Sequence, residues 1–140
     1  MNFKSQITTT REQSEKLLDL GIKAETADAY LEKCRLPEAG DYYVHALTKD
    51  INSKQWFSAR TNRDIIPAWS LSRLLELLPT NIKIGNRENV FCLFHDDENK
   101  LWNLSYPCIE YFETESPFES CISAISWLID NGQFNKEYLK

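Results

Sequence analysis

Two histidines, His45 and His95, and four cysteines, Cys34, Cys92, Cys108 and Cys121, are the side chains from which covalent or metal chemistry could be built. A cysteine beside a histidine makes an activated nucleophile, and Cys92 with His45 is the pairing to weigh. Cys92 falls on the apolar face of a predicted strand, where burial keeps a thiol protonated and inert. The cysteines lie 58, 16 and 13 residues apart. Zinc draws its ligands in close pairs, so this spacing predicts four reduced, mostly buried thiols, with neither disulfide nor metal. Asp96, Asp97 and Glu98 beside His95 offer oxygens to a hard cation. They lack the alternating ligands and the glycine of a calcium loop, and they read as a solvated hairpin tip. No GxSxG, HExxH, Walker A or GxGxxG pattern occurs, and four glycines in the whole chain cannot line a phosphate loop. No catalytic, cofactor-binding or metal-ligating residue is therefore expected, and no cofactor.

Binding surfaces are the remaining option. Lys54-Gln55-Trp56-Phe57-Ser58-Ala59-Arg60-Thr61-Asn62-Arg63 interleaves basic and aromatic side chains. Lys54, Trp56, Arg60 and Arg63 are weak candidates for contact with single-stranded nucleic acid, by stacking and charge. The formal net charge of -5 opposes it. Residues 88–140 carry three basic and ten acidic side chains, whereas residues 1–36 balance and residues 37–87 are net +2. Any such binding is expected to be weak and salt-sensitive. In the last predicted helix, Phe118, Cys121, Ile122, Ile125, Leu128 and Ile129 share a stripe at 100° per residue. Trp127 points away from it, among the small residues Ser120, Ser123 and Ala124. A large aromatic on a small-residue face is a candidate protein interface, in a homodimer or with another partner.

The elements that must carry these residues follow from local pattern. Thr10-Arg11-Glu12-Gln13 has capping-box form and predicts a helix from Arg11 to Leu20, stopped by Gly21. Ala24 to Cys34 is expected to be a second helix. Tyr42–Leu47 and Gln55–Ala59 are strand candidates. Ile65–Trp69 is apolar but contains Pro67, and it reads as an entry segment to the following helix rather than a central strand. Ser70 is expected to cap a helix to Leu78, with Leu71, Leu74, Leu75 and Leu78 as its buried stripe. Val90–His95 and Leu101–Tyr106 form the clearest hairpin. Pairing His95 with Leu101 places Val90, Cys92, Phe94, Trp102, Leu104 and Tyr106 on one core face. Cys108–Phe112 adds a strand. Ser116-Pro117-Phe118-Glu119 opens a helix that Gly132 ends.

Two stretches have a further resonance. Thr8-Thr9-Thr10-Arg11-Glu12-Gln13-Ser14, with Leu17–Ile22 and Glu25-Thr26-Ala27-Asp28 after it, and Ile66-Pro67-Ala68-Trp69-Ser70-Leu71-Ser72-Arg73-Leu74-Leu75-Glu76-Leu77-Leu78-Pro79, resemble a family of uncharacterised bacterial proteins. Its members resemble cargo of prophages and conjugative elements of gut bacteria. The resemblance implies a cytosolic setting and a single domain, and transfers no site.

With 140 residues, one domain at 1–140 is expected. Its class is α+β, with one antiparallel sheet of about three to five strands, two packed helices and an N-terminal helix pair within 1–36. Residues 131–140 are expected to fray, with Phe134 or Tyr138 pinned back. No apolar stretch follows Met1–Gln6 and none reaches membrane-spanning length, so no leader and no membrane contact are expected. The function these observations favour is a non-catalytic cytosolic interaction protein, serving a mobile genetic element through a protein partner. The alternatives are a nucleic-acid accessory protein and a small hydrolase without a recognisable motif.

Overall fold

The computed structural model describes residues 6–33, 42–46 and 65–140. The fold is mixed α+β. The chain divides into two compact units, residues 1–73 with Lys140, and residues 74–139. In place of one sheet, the described residues form three antiparallel sheets of three, two and three strands.

In the first unit, α1 (Arg11–Asp19) starts at the expected capping box. Thr10 Oγ1 accepts from the Gln13 amide at 3.2 Å, and Gln13 Oε1 accepts from the Thr10 amide at 3.0 Å. The expected second helix is not there. Ala24–Thr26 is a single 3-10 turn, and Ala29–Lys33 is strand β1. The reason is visible in the burial pattern. Ala27, Ala29 and Leu31 are buried, while Asp28, Tyr30 and Glu32 alternate with them as half-buried residues. That period of two belongs to a strand. β1 is central, between β2 (Tyr42–Ala46) and β3 (Ile65–Ala68). Among the described residues β3 is at an edge of this sheet, a position where Pro67 is tolerated. Ala29, Leu31 and Ala68 form a buried cluster with Ile66 packed on it.

The segment after β3 is tied down through Trp69, which is fully buried. Its indole N–H donates to Thr26 Oγ1 at 2.9 Å, and its amide donates to Thr9 Oγ1 at 3.1 Å. Asp28 then accepts from the Ser70 amide at 2.8 Å and from the Ser70 hydroxyl at 2.5 Å. Ser70 Oγ accepts in turn from the Arg73 amide at 3.1 Å, the expected N-cap of α2 (Leu71–Leu77).

In the second unit, β4 (Asn81–Ile84) and β5 (Arg87–Val90) form a hairpin absent from the sequence reading. Gly85, at φ +60°, takes the first position of its two-residue turn. Val90 thus belongs to β5. Strands β6 (Cys92–Asp96), β7 (Leu101–Tyr106) and β8 (Glu110–Thr114) make the third sheet, in that order. β8 begins two residues later than expected, because Tyr106–Ile109 is a turn closed by Ile109 N–H to the Tyr106 carbonyl at 2.9 Å. Helix α3 (Pro117–Asp130) is capped by Ser116 as expected and ends before Gly132 at φ +67°. Residues 131–140, expected to fray, hold a 3-10 turn at Lys136–Tyr138 capped by Asn135, and Phe134 is buried. Among the described residues, no helix is long and apolar enough to cross a membrane.

Candidate functional site

The β6–β7 hairpin pairs one residue out of the expected register. Asp96 lies opposite Leu101, His95 opposite Trp102 and Cys92 opposite Ser105. The cause is the loop. Asp96 Oδ1 accepts from the Glu98 amide at 2.9 Å and the Asn99 amide at 3.3 Å, and Oδ2 accepts from the Asn99 side chain at 2.8 Å. The Asn99 side-chain amide, with the Asn99 and Glu98 backbone N–H groups, holds the Asp96 carboxyl below its usual range. This aspartate turn, with Lys100 at φ +57°, shortens the loop to residues 97–100. A slip of one residue exchanges the faces of a strand. On β6, Leu93 and His95 therefore share a face with Trp102, Leu104 and Tyr106, and Cys92 and Phe94 move to the other side.

Helix α3 covers the first of these faces. Ser120 Oγ lies 3.1 Å from the Trp102 carbonyl and 2.7 Å from Thr114 Oγ1. Tyr106 is fully buried and donates its hydroxyl to the Pro79 carbonyl at 2.7 Å. Burial, and secondarily the nearby Cys121, raises its pKa above the usual tyrosine value. Burial pushes the Cys121 thiol up to about 12.

This packing corrects the interface predicted on α3. Ser120 and Ala124 are fully buried. Trp127 is half-buried and meets the edge of Phe112 on β8, with ring centroids 6.2 Å apart. Of the four residues only Ser123 is exposed. The small buried side chains Ser120 and Ala124 admit the sheet of the same unit.

The opposite face is open. Its side chains form a grid from the registers of β6, β7 and β8. Cys92, Ser105 and Tyr111 make one row, and Phe94, Asn103 and Glu113 the next. Small polar groups occupy the middle and aromatics stand at the sides. Phe94 is 53% exposed and Tyr111 63% exposed, whereas Asn103 is only 8% exposed. A cleft of about 400 Å³ runs between them, lined by Phe94, Asn103, Ser105 and Tyr111 and closed at one end by the Pro107–Glu110 turn. In that turn Cys108 sits at φ +65° and its carbonyl accepts from Arg87 Nη1 at 3.1 Å.

Asn103 gives the cleft its polarity. Its Nδ2 donates to Glu113 Oε1 at 3.1 Å. Its Oδ1 is the buried side-chain atom that, among the described residues, accepts no hydrogen bond. The acceptor side of the amide thus faces away from the glutamate and requires a donor.

The other sequence candidates are dispersed. His95 pairs with Asp97 at 3.0 Å and lies tilted against Trp102, with ring centroids 4.9 Å apart. His45 lies in β2 of the first unit and Cys92 in β6 of the second. Cys92, Cys108 and Cys121 are free thiols. Among the described residues, no group of three or more His, Cys, Asp and Glu is placed to hold a metal. Lys54, Trp56, Arg60, Arg63 and Cys34 lie outside the described residues. The open face was missed because Phe94 was assigned to the core. The Asp96-to-Asn99 spacing, a side chain able to close its own turn, is the signal that fixes the register.

No protein-family model, no curated protein and no solved structure matches the chain.

Proposed function

We propose that this chain is a non-catalytic binding protein that works in the cytoplasm, and that a protein partner docks on the open face of β6, β7 and β8. The observation carrying this reading is the pair Phe94 and Tyr111, two large side chains left more than half exposed on either side of a polar floor. Core packing has no use for aromatics so placed, and water gains nothing from them. Aromatic anchors flanking a partly desolvated centre are what a protein interface uses. The resemblance to mobile-element cargo supports a bacterial setting for that partner.

Capture from the native host tests the reading. The wild type and a Phe94→Ser/Tyr111→Ser variant are immobilised side by side, after matching unfolding midpoints establish that both are folded. A co-purifying protein retained by the wild type and lost by the variant is the expected result. The same proteins on both columns would remove the open face from consideration.

A further inference from the structure

We propose that the cleft between Phe94 and Tyr111 receives an arginine side chain of the partner. This rests on the open face being the docking surface, and it names the group that enters it.

Four features converge on a flat cation. The aromatic walls, Phe94 and Tyr111, are diagonal across the grid, so a planar group can lie over the small side chains of Asn103 and Ser105 between them. Aromatic faces attract cations, and a guanidinium both stacks and donates. The floor holds an acceptor without a donor, Asn103 Oδ1. Phe94 and Tyr111, on either side of it, are more than half exposed. The carboxylates are Glu113, beside Asn103, and Glu110, at the turn. Arg87 donates to the Cys108 carbonyl at the turn, so an incoming cation sits toward Glu113.

Charge selects among occupants. Residues 88–140 are net -7, with ten acidic and three basic side chains. The same face of a second copy would bring like charge, and nucleic acid would bring phosphates. A basic segment of a partner brings the opposite sign, and opposite charge speeds and orients encounter. Arginine is preferred over lysine because its five fixed donors can serve Glu113 and Asn103 Oδ1 together.

The test uses the full chain, isotopically labelled, with three capped tripeptides as probes: Gly-Arg-Gly, Gly-Lys-Gly and Gly-citrulline-Gly. Citrulline keeps the shape of arginine and removes its charge. The amide spectrum is followed at low salt up to about 20 mM peptide. The expected result is that the arginine peptide moves the Asn103 side-chain and Ser105 backbone resonances. It should bind at least about threefold more tightly than the lysine peptide. The citrulline peptide should move them least. Glu113→Gln and Tyr111→Ala should each weaken the arginine peptide by about threefold or more. Equal shifts from the arginine and citrulline peptides would overturn the arginine assignment and leave the docking face standing. No shift on this face from any peptide, or resonances there that move on dilution of the protein alone, would overturn the assignment too. Loss of host capture in the Phe94→Ser/Tyr111→Ser variant remains the separate measure of the docking face.

Discussion

Asn103 and Glu113 sit opposite each other on neighbouring strands, joined by one hydrogen bond of 3.1 Å, and that bond leaves the amide oxygen of Asn103 as a buried acceptor without a donor. A buried unsatisfied acceptor costs about 1–3 kcal/mol. The sheet therefore carries a local penalty at the centre of its open face. Asn103→Val removes the acceptor and adds a β-branched side chain to a central strand. It should raise stability by about 1 kcal/mol in urea denaturation and weaken partner capture. A lower midpoint would show that the oxygen is satisfied in solution.

Trp127→Ala should destabilise the protein by about 2 kcal/mol, less than a fully buried aromatic, because the ring is half-buried against Phe112. Sedimentation of the variant should match the wild type. A change in self-association with no loss of stability would restore the interface first read on this helix.

Trp69→Phe deletes the indole donor and also part of a fully buried ring system, so its cost includes a cavity as well as the lost bond. Thr26 Oγ1 then keeps its bond to the Lys23 carbonyl at 2.7 Å and loses the one from Trp69. The expected cost is about 1–3 kcal/mol, read as a shift in the urea midpoint. A neutral substitution would mean that the donor contributes nothing net.

Cys121 links stability to pH. Its folded-state pKa is raised from an ordinary value near 9 to about 12, so the folded protein holds a proton that the unfolded chain releases first. Its contribution is fully present below about pH 9 and is lost as pH rises toward about 12. The expected slope is about 1.4 kcal/mol per pH unit across that window. The buried Tyr106, also raised, steepens the fall above its ordinary value. Urea midpoints at neutral pH should be flat, decline above pH 9, and decline less in Cys121→Ala. An unchanged slope in that variant would exclude the thiol as the source.

Cys108 holds a left-handed backbone at φ +65°, after Pro107 in a four-residue turn. A non-glycine residue is strained there by about 1–2 kcal/mol, part of which glycine recovers. Cys108→Gly should raise stability by about 1 kcal/mol. A fall would mean that the thiol makes compensating contacts.

What was legible in the sequence was local. The capping box at Thr10–Gln13 and the Ser116 cap with Pro117 at the first helical position mark helix starts because the hydrogen bonds they make close within three residues. Gly132 marks a helix stop for the same kind of reason. Strand β1 was misread because Ala27, Tyr30, Leu31 and Cys34 also fit a helical spacing, and only pairing with β2 and β3 decides between periods. The Gly85-Asn86 turn was a hairpin signal left unused. The candidate site was hidden by one residue of register, which no periodicity within β6 can supply. Thr9, Thr26, Asp28, Trp69 and Ser70 make one hydrogen-bonded joint in the first unit.

That joint sets the order in which the chain can form. Thr9 and Trp69 are 60 positions apart, and Thr26 and Trp69 are 43 apart. Closing such spans costs entropy before any contact compensates it, whereas the β6–β7 hairpin closes over residues 97–100. During synthesis the N-terminal helix emerges with its capping box intact and its buried face without a mate until Trp69 follows. The N-terminal part of the first unit, although made early, closes these spans late, and for that interval strand β1 is open to chaperones and to wrong pairings.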